Sequence, residues 1–141
     1  MNKKRQSIDD CKLIKFSKIY NRAGNLTSVH GDLDVPFEIE RVFYIYDIPS
    51  GKYRGGHSHI ALHQVLVSIS GSFEVKLFDG EQSKKITLNR PNYGLHIVPG
   101  IWASEENFSS GSICLTLCSH NYSESDYIRK YDKYLEYIKN I

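Results

Sequence analysis

Between Gly51 and Gln64 the chain carries three of its six histidines, His57, His59 and His63, together with Arg54 and the glycines Gly51, Gly55 and Gly56. Imidazole is the side chain whose ordinary pKa suits proton transfer or metal ligation near neutral pH. Glycine lets the backbone take positive φ and approach a ligand closely. In a strand, His57-x-His59 puts both rings on one face, and a neutral imidazole there can take a proton from a carbon acid and return it elsewhere. This stretch is the candidate chemical site, whereas His30, His96 and His120, each alone, read as structural histidines.

The rest of the chain must position that stretch. At 141 residues it fits a single domain, 1–141, with one core. Eighteen basic and sixteen acidic residues leave a net charge of +2, and Lys3-Lys4-Arg5 and Lys84-Lys85 are the only basic runs. Nucleic acid is therefore not an expected partner, while a small anionic ligand needs only one or two well-placed arginines. The N-terminus lacks the apolar run of a signal peptide, and no stretch approaches the roughly 20 apolar residues that span a bilayer. Three cysteines, Cys11, Cys114 and Cys118, are an odd number without metal-knuckle spacing. They suit a reducing cytosol as free buried thiols, so a soluble, cytoplasmic protein away from membranes is expected.

Strand signals dominate. Residues 11–19 alternate, 21–25 form a turn, and 26–30 read as a second short strand. Residues 39–48 form a long β-branched and aromatic strand with Arg41, Phe43, Ile45 and Asp47 on one side and Val42, Tyr44, Tyr46 and Ile48 on the other. Further strands are expected at 64–69, 73–78, 85–88, 95–98, 102–105 and 112–119, with Asp79-Gly80 as a hairpin turn. Only near the C-terminus does the period become helical, with apolar residues at 127, 128, 131, 134, 135 and 138 and Ser123 or Ser125 as N-cap, giving a helix over about 123–139. About nine short strands and one helix indicate an all-β barrel or double-sheet jelly roll.

Within such a barrel, Gly51, His57-x-His59, Gln64 and Gly71 resemble the first motif of the cupins, and Gly94, Pro99, Gly100, Ala103 and Asn107 resemble the second with one residue missing before the proline. Metal-binding cupins hold their ion with two histidines, a glutamate and a later histidine. Here those last two positions are Gln64 and Ala103, so no metal is expected unless His63 supplies a third nitrogen. Strand parity would place His63 on the face of His57 and His59 if no bulge intervenes.

A closer resemblance lies in Arg41-Val42-Phe43-Tyr44-Ile45-Tyr46-Asp47, Arg54-Gly55-Gly56-His57-Ser58-His59, Leu88-Asn89-Arg90-Pro91-x-Tyr93-Gly94-Leu95, Pro99-Gly100-Ile101-Trp102 and Ser125-Asp126-Tyr127-Ile128-Arg129-x-Tyr131. These runs are similar to the bacterial sugar 3,4-ketoisomerases. The resemblance implies a metal-free, dimeric cupin that moves the ketone of dTDP-4-keto-6-deoxy-D-glucose from C4 to C3, toward 3-amino-3,6-dideoxy sugars of surface polysaccharide such as lipopolysaccharide. His57 and His59 would be the acid/base residues, with His57 first choice for base. Arg41 and Arg54 would bind the diphosphate, Tyr44, Tyr46 or Trp102 would line the thymine or sugar site, and Arg22, His63 and Gln64 complete the candidate substrate contacts. No cofactor is implied.

The chain departs from that pattern at three places. Relatives often read Arg-Val-Tyr-Tyr where this chain has Phe43, so Tyr44 or water takes the role of the missing hydroxyl, or the histidines act alone. The turn often written Asp-x-Arg-Gly is Asn21-Arg22-Ala23-Gly24, and Ala103 stands where relatives carry His or Arg, so the C4 stereochemistry of the product does not carry over. Two rival classes stay open: a nucleotide-sugar epimerase of cupin type, whose usual His and Asp dyad is not evident in the sequence, and a non-catalytic sugar-binding cupin. The open edge of the segment at 13–19 suggests a homodimer with exchanged or paired N-terminal strands.

Overall fold

The computed structural model describes residues 5–141; Lys3 and Lys4 of the basic N-terminus lie outside them. Alternating side chains build two five-stranded antiparallel sheets that face each other, the double-sheet form of the expected jelly roll. The first sheet runs in the order β1 (Leu13–Lys15), β7 (Tyr93–Ile97), β4 (Gln64–Ser70), β9 (Ile113–Cys118) and β2 (Arg41–Ile45). The second runs β10 (Tyr127–Ile128), β3 (Arg54–His59), β8 (Trp102–Glu106), β5 (Phe73–Phe78) and β6 (Ser83–Leu88). One α-helix, α1 (Tyr131–Lys139), closes the chain.

Between the sheets, Leu66, Leu95, Ile97 and Cys114 from one meet Phe73, Val75, Leu77 and Leu88 from the other. Each such large apolar side chain removed from water contributes about 1.5–3 kcal/mol. The outer face of the first sheet is buried as well. There Val65, Val67 and Leu117 pack under Phe16, Val35 and Phe37 from the segment leading from β1 to β2. That double burial explains why β4 reads Val-Leu-Val rather than alternating.

At one end of the sandwich the inner face turns polar. Register sets Gln64 beside Cys118 and Cys118 beside Arg41, so these three form a row across the first sheet. On the second sheet His57 lies opposite Ala103, and His59 opposite Tyr127. β2 closes one edge of the first sheet, and β10, beside β3, closes one edge of the second.

Three sequence expectations are corrected. Helix α1 begins at Tyr131, not near 123, and its N-cap Lys130 makes no side-chain cap bond. Residues 123–130 are spent on a 3-10 turn (Glu124–Asp126) and β10, because the backbones of Tyr127 and Ile128 pair with those of His59 and Ser58. The long strand of 39–48 is ordered only as Arg41–Ile45, since Asp47 takes a left-handed φ of 56°. The strand expected at 26–30 is reduced to one bridge between Ile19 and Leu26. β1 pairs within the chain, Leu13 beside Leu95 and Lys15 beside Tyr93. Helix α1 does cover the barrel: Tyr134 is fully buried and its hydroxyl donates to Gly100 O at 2.8 Å and Phe78 O at 3.1 Å.

Candidate active site

β3 presents the histidines through a local irregularity. Gly55 and Gly56 have φ of 80° and 81°, and the pairing with β8 shifts register between Gly55 and His57. A Cβ at Gly55 would collide with Glu105 Oε2 and stand 3.1 Å from Ala103 O, so only glycine lets the strand bulge here. Beyond the bulge His57 and His59 both turn inward, with ring centroids 5.0 Å apart and nearly perpendicular.

Their surroundings come from the segment between β9 and α1. Asp126, at the end of the 3-10 turn, sits 3.1 Å from His59 Nδ1 through Oδ2. Its carboxylate also accepts from Ala61 N at 2.7 Å and Leu62 N at 3.3 Å. With Nδ1–H donated to this carboxylate, His59 offers its bare Nε2 as an acceptor. The ring of Tyr127 packs 4.3 Å from His59 and 5.0 Å from His57. Arg129 lies over that ring, its guanidinium carbon 4.0 Å from the centroid, and pairs with Glu124 at 2.6 and 2.9 Å. The Tyr122 hydroxyl donates to the same Glu124.

Arg41 faces this group from β2. Its guanidinium lies between the rings of Phe43, at 5.1 Å, and Tyr122, at 5.5 Å, and one N–H donates to Cys118 Sγ at 3.6 Å. Nε of Arg41 is buried without a hydrogen-bond partner. Together Arg41, His59, Tyr122, Asp126 and Tyr127 line a cavity of about 270 Å³ that opens between the sheets.

Electrostatics divide the two imidazoles. Burial pushes His57 down to about 4, and the neighbouring His59 and Arg129 act in the same direction. Burial also lowers His59, but there the hydrogen bond and charge of Asp126 oppose the shift. Both rings are therefore neutral at physiological pH and only His59 has a carboxylate ready to stabilise its charged form. Burial works against the charge of Arg41, yet hydrogen bonding to Tyr127 and Cys118 holds its pKa above the ordinary value. The hydrogen bond from Arg129, with that of Tyr122, brings Glu124 down to about 2.

The other residues expected at the site are dispersed. Gln64 is buried on the inner row, two strands from Arg41. Tyr44 and Tyr46 project from the outer face of β2, 60% and 59% exposed, with their rings 5.7 Å apart. Trp102 points away from the interior, packing 5.5 Å from Tyr131 and 5.4 Å from Tyr134 beneath the helix. None of these three lines the histidine cavity of this chain. Arg22 is on an exposed turn. Arg54 lines a second cleft of about 250 Å³ with Ile45, Tyr46, Lys52 and Tyr53, between the end of β2 and the start of β3.

His63 does not join His57 and His59. Strand β3 ends at His59 and β4 begins at Gln64 in the other sheet, so strand parity does not extend across the turn between them. Instead His63 Nδ1 lies 3.0 Å from His96 Nε2, and Phe37 packs against both rings. Among the described residues no group of three or more His, Cys, Asp or Glu is arranged to hold a metal ion.

Asp126, Tyr127, Tyr122 and Arg129 escaped sequence reasoning as site residues. Their signal was present in the run Ser125-Asp126-Tyr127-Ile128-Arg129, but the helical spacing further on masked the two-residue strand inside it. The dyad of His59 and Asp126, not evident in the sequence, links residues 67 positions apart.

Comparison with known proteins places the chain in a family. Residues 9–139 match the family described as "FdtA: WxcM-like, C-terminal". The chain is 42% identical over 130 residues to a TDP-4-oxo-6-deoxy-alpha-D-glucose-3,4-oxoisomerase of Aneurinibacillus thermoaerophilus, covering 92% of this chain and 94% of that one. It superposes with a TM-score of 0.92 on QdtA, a sugar 3,4-ketoisomerase from Thermoanaerobacterium thermosaccharolyticum solved with TDP, at 41% identity over 95% of this chain and 98% of that chain. A 3,4-ketoisomerase from Helicobacter canadensis superposes with a TM-score of 0.90, at 42% identity over 92% of this chain and 98% of that one. By sequence across nearly its whole length and by fold, the chain belongs to the FdtA and WxcM-like family of sugar 3,4-ketoisomerases.

Proposed function

We propose that the protein is an isomerase that moves the carbonyl of TDP-4-keto-6-deoxy-D-glucose from C4 to C3. The observation that carries this reading is a pair of neutral imidazoles with ring centroids 5.0 Å apart, of which His59 is backed by the Asp126 carboxylate and lines a cavity walled by Arg41 and Tyr127. A variant of QdtA, 42% identical to this chain, has been solved with TDP-4-keto-6-deoxyglucose. At about 270 Å³ the cavity lies near the lower limit of ligand pockets, room for one sugar ring. The diphosphate and base must then extend along the gap between β2 and β3, where Lys52 and Arg54 supply two cations and Tyr46 an aromatic face.

His57, whose ring nitrogens carry no hydrogen bond among the described residues, takes the C3 proton and delivers a proton to C4 through an enediol. His59, held by Asp126, turns its bare Nε2 toward the sugar and orients the ring. Arg41, with its unpartnered Nε, polarises the sugar oxygen on which negative charge develops. One proton leaves C3 and one is delivered to C4, with His57 exchanging its proton with water while the enediol stands, so the sugar keeps its overall oxidation level and no external oxidant or reductant enters the balance. The same reading extends to a cytoplasmic single-domain homodimer associating through its N-terminal strands, whose product is aminated for surface polysaccharide; light scattering at the mass of one chain would refute the dimer.

Incubating the protein with substrate in deuterated water tests the reaction. The expected product carries its ketone at C3 and deuterium at C4. The dyad of His59 and Asp126 favours one second reading, an epimerase of the same chemistry; label at C5 with the ketone unmoved would establish it. Native protein that turns over no keto sugar would leave a binding role.

A further inference from the structure

We propose that Tyr127 is the general acid of this site, supplying the proton that the sugar carbonyl oxygen needs as the C3 proton departs. The proposal rests on the isomerase reading above and concerns a role that the two histidines cannot fill. Forming an enediol from a ketone takes one proton off carbon and puts one on oxygen, so the cavity must hold a base and a donor together. His57 is occupied as the base. His59 gives its only ring proton to Asp126 and is held below its ordinary pKa, so it faces the cavity as an acceptor.

The remaining donors are few. Phe43, on the inner face of β2 beside Arg41, has no hydroxyl. Tyr44 projects from the opposite face of that strand. The Tyr122 hydroxyl is committed to Glu124, and the hydroxyls of Ser123 and Ser125 bond each other at 2.9 Å. Tyr127 differs from all of these. It lines the cavity, its ring packs 4.3 Å from His59 and 5.0 Å from His57, and its hydroxyl hydrogen has no acceptor among the described residues. Arg41 lines the same cavity, and the Arg129 guanidinium carbon stands 4.0 Å from the ring centroid. Negative charge developing on the Tyr127 oxygen thus meets the Arg41 cation, which does not compete for its proton.

The step balances within the site. As the C3–H bond breaks toward His57, its electron pair forms the C3=C4 double bond and the carbonyl π pair on O4 takes the Tyr127 proton. The neighbouring O3 hydroxyl then returns a proton to the Tyr127 oxygen, its O–H pair becomes the new C3=O bond, and the double-bond pair takes the proton from His57 at C4. Both residues end as they began.

Tyr127→Phe removes the proton and keeps the ring. The expected result is a loss of kcat of about 100-fold or more, with KM, TDP affinity and the unfolding transition unchanged. Installing a hydroxyl on the facing wall, Phe43→Tyr in the Tyr127→Phe background, should restore a large part of the lost kcat, which a packing role for Tyr127 would not permit. Native protein that isomerises while Tyr127→Phe isomerises equally fast would overturn the proposal. Native protein that isomerises nothing would instead overturn the isomerase reading itself.

Discussion

Two histidine pairs lie within forty residues of chain, and they have opposite fates. His57 and His59 project from one strand, His59 bonded to Asp126 and lining an open cavity, His57 beside it with no hydrogen bond among the described residues. His63, in the turn before β4, and His96, on β7, satisfy each other at 3.0 Å under the ring of Phe37. Burial lowers the pKa in both pairs, to about 4 at His57 and at His96. A depressed imidazole pKa is therefore no mark of catalysis in this protein. What separates the pairs is unused hydrogen-bonding capacity facing space that a ligand can fill.

Mutation should separate them in the same way. Replacing His57 or His59 by Asn is expected to cost about 10²- to 10⁴-fold in kcat while leaving the unfolding transition in place. Unchanged turnover in either variant would end the contrast. Asp126→Asn should lower kcat by about 10²-fold or less, since it acts through His59; one acceptor oxygen remains for Ala61 N, so the turn persists while the ring loses its orienting carboxylate. A wild-type kcat in that variant would remove the dyad from the mechanism.

The second pair should respond in stability alone. His96→Ala leaves His63 without its partner and is expected to cost about 1–3 kcal/mol in urea unfolding, the penalty of an orphaned buried group, with kcat unchanged. Trp102→Ala, under the helix, should likewise destabilise without changing kcat, by less than the roughly 3–5 kcal/mol of a fully buried ring. A fall in kcat without loss of stability in either case would return that residue to the active site.

pH gives the smallest and most discriminating effect. Folded His57 and His96 hold their protons with pKa about 4 against 6.5 for the ordinary value, so on acidification the unfolded chain takes up protons first. Stability is thus fully present above pH 6.5 and falls as pH drops toward about 4. His96→Gln should flatten part of that fall, measured as the unfolding midpoint against pH, without moving the acid limb of kcat/KM. That limb reports the free site and should lie near the pH of about 4 set by His57. A limb near 6.5 would show that substrate meets a far more exposed imidazole than the structure holds.

The histidine stretch was legible because a strand has a period of two and His57-x-His59 states its geometry within three residues. The inward side of β2, with Arg41 and Phe43, was legible for the same reason. His63 was not, because its face depends on where the chain leaves one sheet and enters the other, between His59 and Gln64. Tyr44 and Trp102 face away from the histidine cavity, and Tyr46 lines the Arg54 cleft instead. Nothing in an aromatic residue's identity says whether it faces a cavity or packs under a helix.

From sequence alone came the all-β class, the His57 and His59 pair, the missing metal ligands at Gln64 and Ala103, and the family resemblance, all of them properties of local spacing and residue type. The tertiary structure decided the rest. It brought Asp126 to His59 across 67 positions, set Tyr127 over both imidazoles by pairing β10 with β3, and turned His63 toward His96. Those contacts arise where separate strands are laid side by side, and strand pairing is a long-range choice that no local pattern records.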